Sequence, residues 1–318
     1  MKVRLLAALV ALGWGVASAA EGSGGYAGAF LRMGLAPRAQ AMGDAYVAVP
    51  QGAYVGLYNP AGVALLPGPE FAVAAGALTL DRSLFVVGFS LPVRPKGHGA
   101  MDGGVGFTWI HAGVDNIDGR DSDGVPIGTF SNSENAFALT FAVRPHRVLT
   151  VGLTGAILYN RLPGVTRENG ALTSSGVGLT AGAMLTPWRG LTVGVALHNI
   201  NAKYTWNTEK VYERGTAVTD RFPVSLRMGA SYRLGEDKML ASVELEQNEK
   251  LGTLYRLGIE AAIAKQLALR GGLNNGRLRV GVGFIFPVLG HRAGLDYAYL
   301  ASVEGLGADH MFGWVFYL

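Results

Sequence analysis

The chain has 318 residues, of which 49% are hydrophobic and only 16% charged; it has 47 glycines, no cysteine and a formal net charge of +4. Soluble domains carry about 25% charged residues, so part of this surface is solvated by something other than water, and the missing cysteines exclude both a disulfide framework and a lipid-anchoring thiol. The weak positive balance argues against a nucleic-acid partner, more so once Lys2 and Arg4 leave with a cleaved leader and +2 remains.

Lys2 and Arg4 form a charged start, residues 5–17 (LLAALVALGWGVA) an apolar stretch, and the small residues ASAA at 17–20 precede Glu21. This order predicts a signal peptide over 1–20, cut after Ala19 or Ala20. The competing reading, a retained anchor helix, needs a longer apolar run than this one. No later stretch approaches the ~20 consecutive apolar residues of a transmembrane helix. A closed β-barrel is then the spanning alternative, because lipid tolerates no unpaired backbone groups.

Residues 21–69 lack the patterning of the remaining 249. At 56–66 the chain reads GLYNPAGVALL, too short to span a membrane and too interrupted for a regular helix. Pro60 fixes its own φ and pushes Asn59 toward an extended conformation, Asn59 bonds readily to nearby backbone, and Gly62 permits close approach.

From Glu70 onward, segments of about ten residues alternate with period two, as transmembrane β-strands do. Fourteen are read, at 70–80, 83–93, 103–113, 134–144, 148–160, 174–187, 191–200, 222–234, 239–247, 254–264, 266–273, 277–287, 292–301 and 310–318. Every second connection is tight, as at 145–147, 187–190, 235–238 and 264–266, while long polar stretches at 114–133, 161–173 and 201–221 fall between them. Outer-membrane barrels put short turns on the periplasmic side and long loops outside; a soluble sandwich has no reason for such parity. The even strand count places both termini on the periplasmic side. In the last segment Phe312, Trp314, Phe316 and Leu318 share a face, similar to the terminal signal read by the barrel assembly machinery, although that signal usually ends in Phe. Trp109, Tyr159, Trp188, Tyr204, Trp206, Tyr297 and Tyr299 fall near strand ends, where aromatic girdles sit.

Alternation also separates the faces. In 222–234 the outward set is Phe222, Val224, Leu226, Met228, Ala230, Tyr232 and Leu234, which turns Arg227 and Arg233 to the lumen. The same parity turns Glu244, Glu246, Arg256, Glu260, Arg270, Arg277, Arg279 and Asp296 inward, whereas strands three to seven offer Gly104, Gly152, Thr154, Gly182 and Gly194. One wall is expected to be charged and the other small. Two readings of this asymmetry stand: a paired network that closes the barrel and holds a plug, or a selectivity surface, which mixed signs do not favour.

Catalytic and metal-binding patterns are thin. The loop VDNIDGRDSDG at 114–124 resembles a calcium loop, but aligning Gly124 with the required glycine puts Gly119 and Phe130 at ligand positions. GVGLTA at 176–181 matches a nucleotide fingerprint, yet lies inside an alternating strand. The reading is of a non-enzymatic protein without cofactor or metal.

The N-terminal segment carries a family resemblance. Arg38-Ala39, Met42-Gly43, Ala45-Tyr46-Val47-Ala48 and above all Asn59-Pro60-Ala61-Gly62, in this order before a barrel, resemble the start of the PorV/PorQ family of outer-membrane proteins, relatives of the FadL long-chain fatty acid transporters. Pro50-Gln51-Gly52 departs from it where the family tends to carry acidic residues. The resemblance implies a monomeric, 14-stranded antiparallel barrel in outer-membrane lipid (70–318), plugged by an N-terminal hatch (21–69) with Arg38, Met42, Gly43, Asn59, Pro60, Ala61 and Gly62 as its motif. It implies binding of secreted-protein cargo in type IX secretion or, alternatively, hatch-gated passage of long-chain fatty acids or other hydrophobic small molecules. Arg32, Arg38 and Asp44 are expected to pair with Glu244, Glu246 or Arg227.

Overall fold

A computed structural model describes residues 25–96, 101–168, 170–235, 238–301 and 307–318; the leader read at 1–20 lies outside them. Fourteen antiparallel strands close into a barrel. They are β1 (Glu70–Leu78), β2 (Arg82–Val93), β3 (Asp102–Arg120), β4 (Pro126–His146), β5 (Leu149–Leu162), β6 (Leu172–Trp188), β7 (Leu191–Ile200), and, beyond a small hairpin of β8 (Lys203–Asn207) and β9 (Ala217–Arg221), β10 (Ser225–Leu234). The wall continues through β11 (Met239–Asn248), β12 (Gly252–Ala262), β13 (Leu267–Asn274), β14 (Arg277–Val288), β15 (His291–Ala301) and β16 (Ala308–Tyr317), which pairs with β1 from Glu70↔Tyr317 to Ala77↔His310. Closure leaves the wall no unpaired edge, the condition for standing in lipid. Outward positions such as Leu139, Phe141, Ile157, Val177 and Phe312 are exposed and apolar, and inward ones such as Thr140, Thr154, Ser231 and Glu244 are buried and polar. That is the inverse of a soluble protein.

Three expectations are corrected. The stretch 114–133 is not a loop: after a bulge between Val114 and Ile117, β3 and β4 stay paired to Arg120↔Pro126. The aspartates there serve the turn, with Asp121 Oδ1 accepting from the Asp123 and Val125 amides at 2.9 and 2.8 Å and Asp118 paired to Arg120 at 2.7 Å. Phe222 does not face outward: Pro223 cannot donate to a ladder, β10 begins only at Ser225, and Phe222 is 2% exposed, edge-on to Tyr204 at 4.9 Å. Tyr204 and Trp206 belong to that buried cluster and not to a girdle.

The two mouths differ. Leu318, Glu70, the β2–β3 connection and the turns at 147–148, 189–190 and 289–290 share one, the C-terminal mouth; the β5–β6 connection and the β8–β9 hairpin crown the other, beside tight turns after β1, β11 and β13. Near the start of the described residues, Tyr26 lies under Lys250 of the β11–β12 turn, 5.6 Å from the ammonium, at the far mouth.

Inside runs the plug, residues 25–66, a chain of short turns at Ala29–Arg32, Pro37–Ala41, Val55–Tyr58 and Pro60–Leu65. Its backbone lies directly on the wall. A Cβ added at Gly152 would sit 2.5 Å from the Pro60 carbonyl carbon, at Gly104 2.8 Å from that of Val63, and at Gly229 2.7 Å from a Val47 methyl. Inward glycines therefore line the charged wall as well as the small one, because an irregular plug fills a round lumen only where the wall has no side chain. Gly152→Val should cost about 1–3 kcal/mol in denaturant unfolding. Gly155→Val on the outer face, where the nearest atom is 3.8 Å away, should be neutral.

Candidate functional site

The segment NPAG ends one turn and begins the next. Asn59 is extended (φ −154°, ψ 112°), as a residue before proline must be, and Pro60 starts the Pro60–Leu65 turn where no amide is needed. The Asn59 side chain accepts from the Ala61 amide at 3.1 Å, while its Nδ2 lies 2.9, 3.1 and 3.2 Å from the carbonyls of Val47, Ala183 and Val195. One fully buried amide thus joins two parts of the plug to β6 and β7. Ala61 and Gly62 are buried with it on the half of the lumen nearer the C-terminal mouth.

A plug without regular ladders has backbone carbonyls to satisfy, and inward wall side chains do so. Ser90 donates to Ala53 at 2.9 Å, Thr154 to Gly56 at 3.1 Å and Ser231 to Ala48 at 2.6 Å, and His198 Nε2 lies 3.1 Å from the Tyr58 carbonyl oxygen. The Tyr58 hydroxyl accepts from the Leu35 and Ala36 amides at 3.4 and 3.3 Å. Burial pushes its phenol well above the ordinary range and the nearby Asp44 carboxylate adds to this, so the ring stays neutral.

Charge fastens the plug to β10–β15. Gly43 and Asp44 both adopt left-handed backbone (φ 66° and 63°), and Gln40 Nε2 donates to Asp44 Oδ1 at 2.8 Å. This turn aims Asp44 Oδ2 at Arg227 Nη2, 2.7 Å away. Arg227 and Arg256 share Glu244 and Glu246 at 2.5 to 3.2 Å, and Glu244 Oε2 accepts from the plug amides of Tyr46 and Val47 at 2.9 and 2.8 Å. Nearer the C-terminal mouth, Arg38 makes a two-pronged contact with Glu260 at 2.8 and 2.6 Å and also donates to Gln51. Arg270 joins Glu260 at 2.6 Å to Asp296 at 2.5 Å.

Of the residues singled out by alternation, the structure brings Arg227, Glu244, Glu246 and Arg256 into one cluster with Asp44, and Glu260, Arg270 and Asp296 into another with Arg38. Arg38 meets Glu260 and not Glu244 or Glu246, and the Arg32 guanidinium bonds the Ala27 carbonyl at 3.2 Å. Arg233 stands apart at the C-terminal mouth beside Gly190. Arg279 and Arg277 are in no ion pair among the described residues and face a cavity instead. Met42 and Gly43 pack into the wall at Gly258 and Leu273.

That cavity, about 840 Å³, lies between the plug and the far mouth. One side is largely apolar, with Leu78, Ile110, Ala136, Ala156 and Leu158, and also holds the Arg82–Asp309 pair; the other carries Arg227, Glu246, Arg256, Arg277 and Arg279; Leu35, Asp44 and Tyr58 form the floor. Its volume lies within the ~300–1,000 Å³ of small-molecule sites. Sequence reasoning missed the apolar side, since alanines and leucines among inward positions look like any strand residue.

No family model and no curated protein matches the chain. Solved structures do. The Ralstonia pickettii toluene transporter TbuX is similar at a TM-score of 0.64 and 15% identity, over 90% of this chain and 98% of that one. The P. putida toluene transporter TodX gives 0.64 and 13% over 90% and 99%, and a Pseudomonas aeruginosa FadL homologue 0.57 and 12% over 89% and 96%. At these identities the shared property is the fold.

Removing one partner of a buried ion cluster strands the others without water. Arg227→Ala should therefore cost about 3–5 kcal/mol in denaturant unfolding. Arg82→Ala, which loses a longer and more exposed pair with Asp309 at 3.5 Å, should cost about 1 kcal/mol or less.

Proposed function

We propose that the protein is a non-enzymatic outer-membrane barrel that admits small hydrophobic or amphipathic molecules, with the short-turn, C-terminal mouth in the periplasm. The observation that carries this reading is the cavity above the plug, largely apolar on one side and arginine-lined on the other. An acyl or aromatic body lies against Ile110, Ala136 and Leu158, and an acidic head against Arg277 and Arg279, so a long-chain fatty acid is the fitting example. The solved structures with this fold include two described as toluene transporters, which supports small-molecule passage ahead of secreted-protein cargo. The PorV/PorQ and type IX reading has no comparable cavity-level support.

The plug blocks the straight path, and a side exit fits the wall. Between Leu179 and Ala181 of β6 and Ile200 and Leu197 of β7 the register shifts. At that point Leu179 is both exposed on the outer face and part of the cavity lining. A molecule leaving there enters lipid without crossing the ion clusters.

Cells expressing the protein should accumulate labelled fatty acid or toluene faster than cells without it, and Ala156→Trp, which fills the cavity, should abolish most of the gain while the barrel still assembles. Uptake equal in deleted, normal and Ala156→Trp cells would overturn the proposal.

A further inference from the structure

The connections at the two mouths carry opposite charge. Those at the C-terminal mouth hold six cations, Arg94, Lys96, Arg147, Arg189, Lys238 and Lys265, against two carboxylates, Glu236 and Asp237. Those at the far mouth, the β8–β9 hairpin included, hold six cations against nine carboxylates. All six cations at the C-terminal mouth are exposed, and none is in an ion pair among the described residues. Apolar side chains stand beside them: Trp188 (54% exposed) next to Arg189, Ile263 next to Lys265, Leu234 before Lys238, and Leu289 (96% exposed) on the turn ahead of Arg292. An apolar body with a cation at the same depth is the pattern of the bilayer interface, where the first lies in acyl chains and the second among headgroups.

We infer that this ring binds anionic glycerophospholipid, such as phosphatidylglycerol, in the leaflet around the C-terminal mouth. Two features select that occupant. The cations are distributed over five separate connections around the perimeter, so whatever neutralises them surrounds the barrel; a docked protein covers one side. The connections are two to eight residues long, which keeps the charges at the strand ends, at headgroup depth. Each Lys or Arg near an anionic surface favours it by about a fivefold factor, which salt erodes. This inference does not depend on what the cavity carries.

The test uses the full chain in nanodiscs of phosphatidylcholine with and without phosphatidylglycerol, reading co-retained lipid by native mass spectrometry and barrel stability by thermal unfolding. The wild type should retain phosphatidylglycerol in preference and melt higher in its presence, and both effects should shrink with salt. Arg147→Gln, Arg189→Gln, Lys238→Gln and Lys265→Gln together should remove the preference while stability in pure phosphatidylcholine is unchanged. If the quadruple variant fails to fold, Lys265→Gln alone should lower the preference about fivefold. Equal preference in wild type and variant would overturn the inference. So would selective retention of lipopolysaccharide over phosphatidylglycerol that the same substitutions abolish, since the ring would then face the other leaflet.

Discussion

Asp44 sits where the plug turns back on itself, and its carboxylate fixes a segment with almost no regular structure to the wall around it. Two consecutive left-handed residues, Gly43 and Asp44, make the turn; Gln40 holds one carboxylate oxygen and Arg227 takes the other. A charge this deep is tolerable only if it is paired and hydrogen-bonded. Three carboxylates therefore share two guanidiniums in the upper cluster, with the Tyr46 and Val47 amides completing the shell of Glu244. Such a cluster adds little net stability compared with apolar packing of the same volume, but it penalises any other register of the plug heavily. The position of the floor under the cavity follows from it.

The remaining fit is steric. Glycines facing inward let plug backbone approach strand backbone, and serines, threonines and a histidine between them take up the carbonyls that the plug cannot pair with itself. The plug occupies the half of the lumen nearer the C-terminal mouth, so the other half stays open with the largely apolar strands β1 to β6 on one side and the arginines of β10 to β14 on the other. The same division of the wall that locks the plug below gives the cavity two chemistries above.

Much of this was legible as pattern. Alternation with period two placed every barrel strand to within a few residues over most of its length, because lipid outside and a polar lumen inside impose opposite demands on neighbouring positions. It failed where the membrane stops imposing them: β3 and β4 continue as a hairpin through Asn, Asp, Gly and Ser that read as loop. Tyr204 and Trp206 looked like girdle aromatics because composition does not distinguish a side chain facing lipid from one under a folded-back hairpin. Parity told which charges face inward but not their height, and so Arg38 was expected at Glu244 or Glu246 when it reaches Glu260. The left-handed turn at Gly43-Asp44, which decides that height, has no alternating signature. NPAG was visible as a hinge; that Asn59 bridges the plug to two strands needed coordinates.

The contacts of residues 37–66 with the wall predict a fixed floor, held as firmly as the strands. Hydrogen exchange of the Tyr46 and Val47 amides tests this most directly, because both donate to Glu244 in the upper cluster. A fixed floor predicts exchange as slow as that of β10 and β11 amides such as Arg227 and Leu245, and acceleration of the plug amides in Asp44→Ala. Exchange of Tyr46 and Val47 at the rate of exposed turn amides in the unaltered protein would contradict it.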